Sequence, residues 1–122
     1  MDPWLARLRH DVVKRAVWAA RDLRDSGEAP TAADFASLRG GVLALADGAG
    51  RPATALEVWR ALRPAAPARL EASALDAFER ALACAQAAAV ALEKGDERAL
   101  PNALAAVLEL EPAFEDLRRA LG

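Results

Sequence analysis

Apolar side chains recur along this chain at steps of three and four residues, the spacing that lines up one edge of an α-helix. Leu5, Leu8, Val12, Ala16, Ala19 and Leu23 form the first stripe, widened by Val13, Val17 and Ala20. Asp2 stands where an N-cap belongs and Pro3 takes the first helical position, where a missing N–H is harmless. A helix is therefore predicted from there to about Arg24, ended by Ser26-Gly27. After Pro30, Thr31 and Asp34 have the spacing of a capping box, and Phe35, Leu38, Val42 and Leu45 make the inward face of a second helix. Gly40-Gly41 within it costs about 1 kcal/mol per residue relative to Ala, so the pair either admits a neighbouring backbone or marks a break.

Asp47-Gly48-Ala49-Gly50 reads as a turn, and Arg51-Pro52 as the opening of a short third helix carrying Leu56, Trp59 and Leu62. The stretch Arg63 to Arg69 holds two prolines, which remove donors and restrict the residues before them. It is the best linker and offers an internal hinge at 63–69 within a single domain, 1–122. A fourth helix from Glu71 or Ser73 to Lys94 has the clearest pattern. Its Leu75, Phe78, Leu82, Ala85, Ala89 and Leu92 follow a 3-4-3-4-3 spacing, the seam of an antiparallel pair or bundle, and Gly95 stops it. A fifth helix, about Ala99 to Glu109, turns Leu100, Leu104, Val107 and Leu108 inward. A sixth begins at Pro112 and buries Phe114, Leu117 and Leu121, with Glu115 and Asp116 early and Arg118 and Arg119 late, matching the helix dipole. Alternating β-branched or aromatic runs are absent. The predicted fold is all-α, a compact bundle of five to six short antiparallel helices.

Composition refines this picture. The 122 residues suit one domain, and the 54% hydrophobic content overstates the core because much of it is Ala, so packing should be tight but thin. Arg supplies nearly all the basic charge, Lys occurs only at 14 and 94, and Tyr and Ile are missing, the bias expected of a GC-rich bacterial genome. A net charge of −2 gives no overall attraction for polyphosphate, which disfavours non-specific nucleic-acid binding. The single Cys84 excludes an internal disulfide, and the opening MDPWLARLRHD has charges where a signal peptide needs an apolar run, so a cytoplasmic location is expected. The longest mostly apolar run, Leu82 to Leu92, is about half of the ~20 residues that span a bilayer and is interrupted by Gln86, so no membrane span is expected.

Candidate chemistry is sparse. His10 is the only histidine, the side chain that most readily changes charge near neutral pH. It lacks companions: Asp11 points about 100° away on a helix, the residue one turn on is the cation Lys14, and no metal-ligand spacing includes it. A partly exposed surface histidine is the preferred reading. Cys84, set among Ala81, Ala83, Ala85 and Ala87 with only Arg80 nearby, reads as a small buried residue rather than a reactive thiol. Ser26, Thr31, Thr54 and Ser73 fall at helix ends, where capping explains them, and Ser37 has no base in reach. Glycines at 40, 41, 48 and 50 match no phosphate-cradle motif. No catalytic residue, metal ligand or cofactor is expected.

The first helix carries a charge ladder in which Asp11 precedes Arg15 by four and Arg21 precedes Asp25 by four, pairs worth about 0.2 to 0.5 kcal/mol each on a solvated face. The sharper reading makes Arg7, Lys14, Arg21 and Trp18 a docking surface, since Trp and Arg are enriched at binding hot spots. Trp4, Trp18 and Trp59 are each expected at the core or its edge. On the outer side of the fourth helix Ala83, Ala87, Val90 and Ala91 surround Gln86, and small side chains there would let another helix approach closely. The alternative is that Ala merely fills exposed helical positions.

Two stretches resemble known families. The turn Glu93-Lys94-Gly95-Asp96, the Leu-Glu-Leu-Glu-Pro run at 108–112 and the 17 residues from Gly95 to Pro112 give residues 81–114 the look of one tetratricopeptide repeat, a helical hairpin of about 34 residues. That resemblance implies a TPR-like hairpin in the C-terminal half and a protein-binding adaptor. Separately, Val42 to Leu62 resembles the first two helices of a winged helix-turn-helix domain, which implies DNA contact through the segment up to residue 80. That segment holds Glu71, Asp76 and Glu79 where a basic recognition helix belongs. The first expectation is a non-enzymatic interaction, regulatory or adaptor protein that self-associates or joins a larger complex. Its candidate contacts are Lys14, Trp18 and Arg21 on one helix and Ala83, Gln86, Ala87 and Val90 on another. A DNA-binding accessory and a small-ligand sensor with a pocket near His10 and the tryptophans are the alternatives.

Overall fold

In a computed structural model the amino-terminal stripe becomes one helical rod, α1 (Pro3–Leu8), a π-helical turn (Arg9–Val13) and α2 (Lys14–Asp25). The structure describes residues 2–47, 49–94 and 97–122. Asp2 caps the rod by accepting the Trp4 N–H at 2.8 Å, and Pro3 follows in the first turn, as expected. The π turn, in which the Lys14 N–H reaches back five residues to the Arg9 carbonyl, departs from the plain α-helix expected there. Its cause lies in the spacing of the core residues. Leu8, Val12, Ala16 and Ala20 are all 0% exposed and stand strictly four apart. An α-helix has 3.6 residues per turn, so each step of four overshoots by about 40° and three steps would carry the stripe about 120° around the rod. A wider i→i+5 turn takes up much of that drift and keeps all four inside.

Thr31 and Asp34 form the expected capping box at the start of α3 (Ala32–Leu43), which runs through Gly40-Gly41 unbroken. A Cβ on Gly41 would lie 3.0 Å from the Ala16 Cα and 3.3 Å from the Arg15 carbonyl oxygen, so α2 and α3 cross backbone to backbone at this point. Leu45 is buried as expected but outside the helix, in a small hairpin the sequence reading did not anticipate. Strand β1 (Leu45–Ala46) pairs antiparallel with β2 (Pro52–Ala53), Leu45 opposite Ala53 and Ala46 opposite Pro52. The Asp47 carboxylate holds the turn, accepting the Ala49 N–H at 2.8 Å and the Arg51 N–H at 2.9 Å, while Gly50 takes a φ of +79°. The Arg51 carbonyl, which an early helix would need as its first acceptor, takes the Asp47 N–H at 2.9 Å, so Pro52 closes the hairpin instead of opening a helix. Gly48 of the expected turn lies outside the described residues. Helix α4 (Ala55–Leu62) starts behind Thr54, whose hydroxyl accepts the Glu57 N–H.

A 3-10 turn (Arg63–Ala65) and a short irregular stretch lead into α5 (Ala72–Glu93). Glu71 is its N-cap, which places Ser73 inside the first turn rather than at the cap. Every member of the expected seam, Leu75 to Leu92, is buried. The stop assigned to Gly95, and Asp96 of the repeat-like turn, lie outside the described residues. A 3-10 turn (Glu97–Ala99) precedes α6 (Leu100–Leu108), with Pro101 in its first turn, and Glu109 alone separates α6 from α7 (Leu110–Leu121). In α6 Val107 is buried as expected, whereas Leu100, Leu104 and Leu108 are half-buried against the core and Ala103 takes the innermost place. Helix α7 begins at Leu110, two residues before Pro112, so Glu111 rather than Glu115 and Asp116 occupies its first turn.

The outcome is an all-α bundle with one tiny strand pair among the described residues. Helix α5 is its axis, packed by α3, α4, α6 and α7, and the amino-terminal rod lies against α3, α6 and α7. Trp4, Trp59 and Phe78 join rod, α4 and α5, with ring centroids 6.0 Å and 4.7 Å apart. The Trp4 indole N–H donates to the Leu62 carbonyl at 2.9 Å and the Trp59 N–H to the Glu79 carboxylate at 2.8 Å. Arg63 donates to Glu79 and Asp76, tying the 3-10 turn onto α5. The Trp59 N–H first, and then Arg63, hold the Glu79 carboxyl below the usual range. Among the described residues the core contains no buried polar or charged side chain, and no helix is long and apolar enough to cross a membrane.

Candidate functional site

On α2 the residue after buried Val17 rotates about 100° outwards. There Trp18 is 57% exposed, the one large hydrophobic side chain on the surface of the described residues. This corrects the expectation that all three tryptophans lie at the core or its edge; Trp4 and Trp59 do, because they close the α1–α4–α5 junction. Lys14, one turn earlier, places its ammonium 4.4 Å from the Trp18 ring centroid, a cation–π contact that fixes both side chains as a ridge.

A hollow lies on each side of that ridge. One, of about 400 Å³, is lined by Arg9, Val13, Val17, Arg21 and, from α7, Glu111 and Glu115. The other, of about 410 Å³, is bounded by Asp11, Arg15 and the hairpin residues Leu45 and Ala46. His10, Lys14 and Trp18 border both. Arg21 pairs with Glu111 and so clamps α2 to α7 at the edge of the first hollow, while Glu115 is bound by Arg118 at 2.7 Å. Within the described residues Arg9 and Arg15 have no carboxylate partner, and Lys14 meets only the indole. Among the described residues the face therefore carries three cations without an ion-pair partner around one apolar ring.

The charge ladder forms with different partners from those the spacing implied. Asp11 accepts from Arg7 at 3.4 Å and lies 3.0 Å from the His10 Nδ1, and Arg21 reaches α7 instead of Asp25. Asp11 is taken up by Arg7 and His10, and a carboxylate from another helix pairs with Arg21 while Arg24 holds Asp25. His10 lies at the surface with its side chain 78% exposed. Its contact with Asp11 is a change from the expectation that the two diverge. The pair is open to solvent, and no serine, threonine or cysteine lines either hollow.

The second set of candidates, on α5, is a separate place that shares neither hollow. Ala83 and Ala87 are exposed and Val90 is half-buried. Gln86 is half-buried too, and its side-chain oxygen accepts the Leu56 N–H at 3.3 Å, so it serves the first turn of α4. Cys84 is exposed, contrary to the buried position expected of it, because the α5 seam passes through Leu82 and Ala85 and leaves position 84 on the outer side with Arg80 and Ala87. Among the described residues no group of three or more His, Cys, Asp or Glu side chains is gathered for a metal ion.

Sequence reasoning missed Arg9, Glu111, Glu115 and the hairpin wall. For Arg9 and the ridge a signal existed, since Lys14 and Trp18 are four apart on the polar side of a clear stripe. For Glu111, ninety residues from Arg21, there was none. The fold thus defines a helical bundle whose surface presents one cation-framed indole. Comparisons of the chain with protein-family models, with curated proteins and with solved structures give no match.

Proposed function

We propose that this chain is a non-enzymatic interaction protein, working as an adaptor or regulatory subunit, whose contact surface is the Trp18 ridge. The observation that carries this reading is the 57% exposure of an indole held in place by Lys14 between two hollows. Exposed aromatic area of this size forfeits roughly 25 cal/mol for every Å² left in water, and pre-fixed Trp and Arg side chains are the usual anchors of protein interfaces. Both hollows are open depressions bordered by paired or solvated charges, a lining suited to another protein's side chains more than to an enclosed small molecule. The resemblance of residues 81–114 to a helical repeat points the same way.

A photo-cross-linking residue placed at position 18, compared with one at exposed Ala61 on α4, tests the reading in cells of the source organism, alongside light scattering over a concentration series. We expect position 18 to trap a discrete adduct, with a partner or with a second copy, that position 61 does not. A strictly monomeric chain with identical, diffuse labelling from both positions would refute it.

A further inference from the structure

The chain as a whole is acidic, with 18 acidic against 16 basic residues, yet the two hollows beside Trp18 lean the other way, with Arg9, Lys14, Arg15 and Arg21 against Asp11, Glu111 and Glu115. Among the described residues Arg9, Lys14 and Arg15 border the indole with no carboxylate in direct ion-pair contact, the neighbouring Glu111, Glu115 and Asp11 being engaged by Arg21, Arg118 and Arg7. Each hollow has a small apolar floor, Val13 and Val17 on one side and Leu45 on the other. Such a surface asks for two things at once: an apolar side chain to cover the ring and anionic groups on both flanks. From this charge complementarity, and resting on the reading of the ridge as a contact surface, we infer that the occupant is an acidic amphipathic segment of a partner protein. It lays one large apolar side chain on Trp18 and sets carboxylates against Lys14, Arg15 and Arg9.

A nucleic-acid strand is the competing polyanion, and the geometry argues against it. Glu111 and Glu115 line the first hollow and Asp11 the second, so a phosphate backbone crossing the ridge meets carboxylates on both sides. Strand binders also stack successive bases on several aromatic rings, whereas one exposed ring is present among the described residues. A peptide tolerates the mixture, because a lysine or a neutral polar side chain can face Glu111 and Glu115 while its carboxylates avoid them.

Fluorescence anisotropy tests the inference on the full chain with three labelled probes of equal length. These are a helical peptide with glutamates on one face and leucines on the other, the same peptide with lysine for glutamate, and oligo-dT. We expect the acidic peptide to bind, to weaken several-fold as salt rises, and to lose about tenfold or more with Trp18→Ala and with the double change Lys14→Glu, Arg15→Glu. These positions are on the surface, and circular dichroism confirms that each variant folds before its binding is read. Stronger retention of oligo-dT, equal binding of the lysine peptide, no binding of the acidic peptide, or indifference to Trp18→Ala overturns the inference. A specific cross-link from position 18 to a partner surface without acidic residues also overturns it, while leaving the contact role of the ridge intact.

Discussion

Gly40 and Gly41 are neighbours in one helix with the same propensity deficit, yet alanine should move stability in opposite directions at the two. Replacing Gly by Ala in a helix interior gains about 1 kcal/mol from propensity alone. At Gly40 a Cβ meets nothing within 4 Å, so Gly40→Ala should keep most of that gain. At Gly41 the Cβ would stand 3.0 Å from the Ala16 Cα, against an ordinary carbon–carbon contact of about 3.5 to 4 Å, so α2 and α3 must part by about 0.5 to 1 Å. Forcing a packed interface apart costs about 1 to 3 kcal/mol, which exceeds the propensity gain or cancels it. Gly41→Ala should therefore lie between neutral and about 2 kcal/mol destabilising, and the two variants should differ by about 1 to 3 kcal/mol. Urea unfolding followed by far-ultraviolet circular dichroism reads the difference directly, and thermal melts should separate by several degrees. If both variants are stabilised equally, the close crossing of α2 and α3 is wrong.

Three further outcomes follow from the same structure. Deleting His10 should close the π turn to an ordinary α turn, keep Leu8 in phase with Val12, and leave a cooperative melt, whereas deleting Ala83 from mid-α5 rotates half the seam by about 100° and should abolish it; equal damage from both would contradict the account of the π turn. Glu79 is held below its ordinary pKa, so its stabilising effect is complete above the usual carboxylate range and fades as pH falls through about 4 towards the lower folded value. Glu79→Gln should accordingly be less stable than the parent at neutral pH with a gap that narrows on acidification, and a gap unchanged at about pH 3 would exclude the cause assigned. Cys84, being exposed, should react fully with a disulfide reagent in the native protein, and a requirement for denaturant would show that the α5 flank is covered.

The helices were legible because burial follows a period that survives in the letters: the α5 seam and the α3 capping box stand where spacing put them. The π turn was legible in principle, since four core residues at strict four-residue steps cannot stay on one side of a 3.6-residue helix. The hairpin was not, because two pairs of short-strand residues carry no alternation to detect and Asp47's turn bonds compete with helix initiation locally. The site divides in the same way. Lys14 and Trp18 are close in sequence and could be paired on a helical wheel, while Arg21 with Glu111 and Gln86 with Leu56 arise only when distant helices meet. Exposure of Trp18 and Cys84 went against the general habits of their residue types, although the stripe through Val17 and the seam through Leu82 and Ala85 already turned both positions outwards.

The amino-terminal rod finds some of its neighbours late in the chain, with α6 along α2, α7 against the π turn, and an Arg21–Glu111 clamp across ninety positions. During synthesis α3 and α4 can cover part of its greasy edge, while the part that faces α6 and α7 waits until residues 100–121 have followed. While that interval lasts the uncovered part is open to aggregation, so the yield should depend on holdase chaperones near the ribosome.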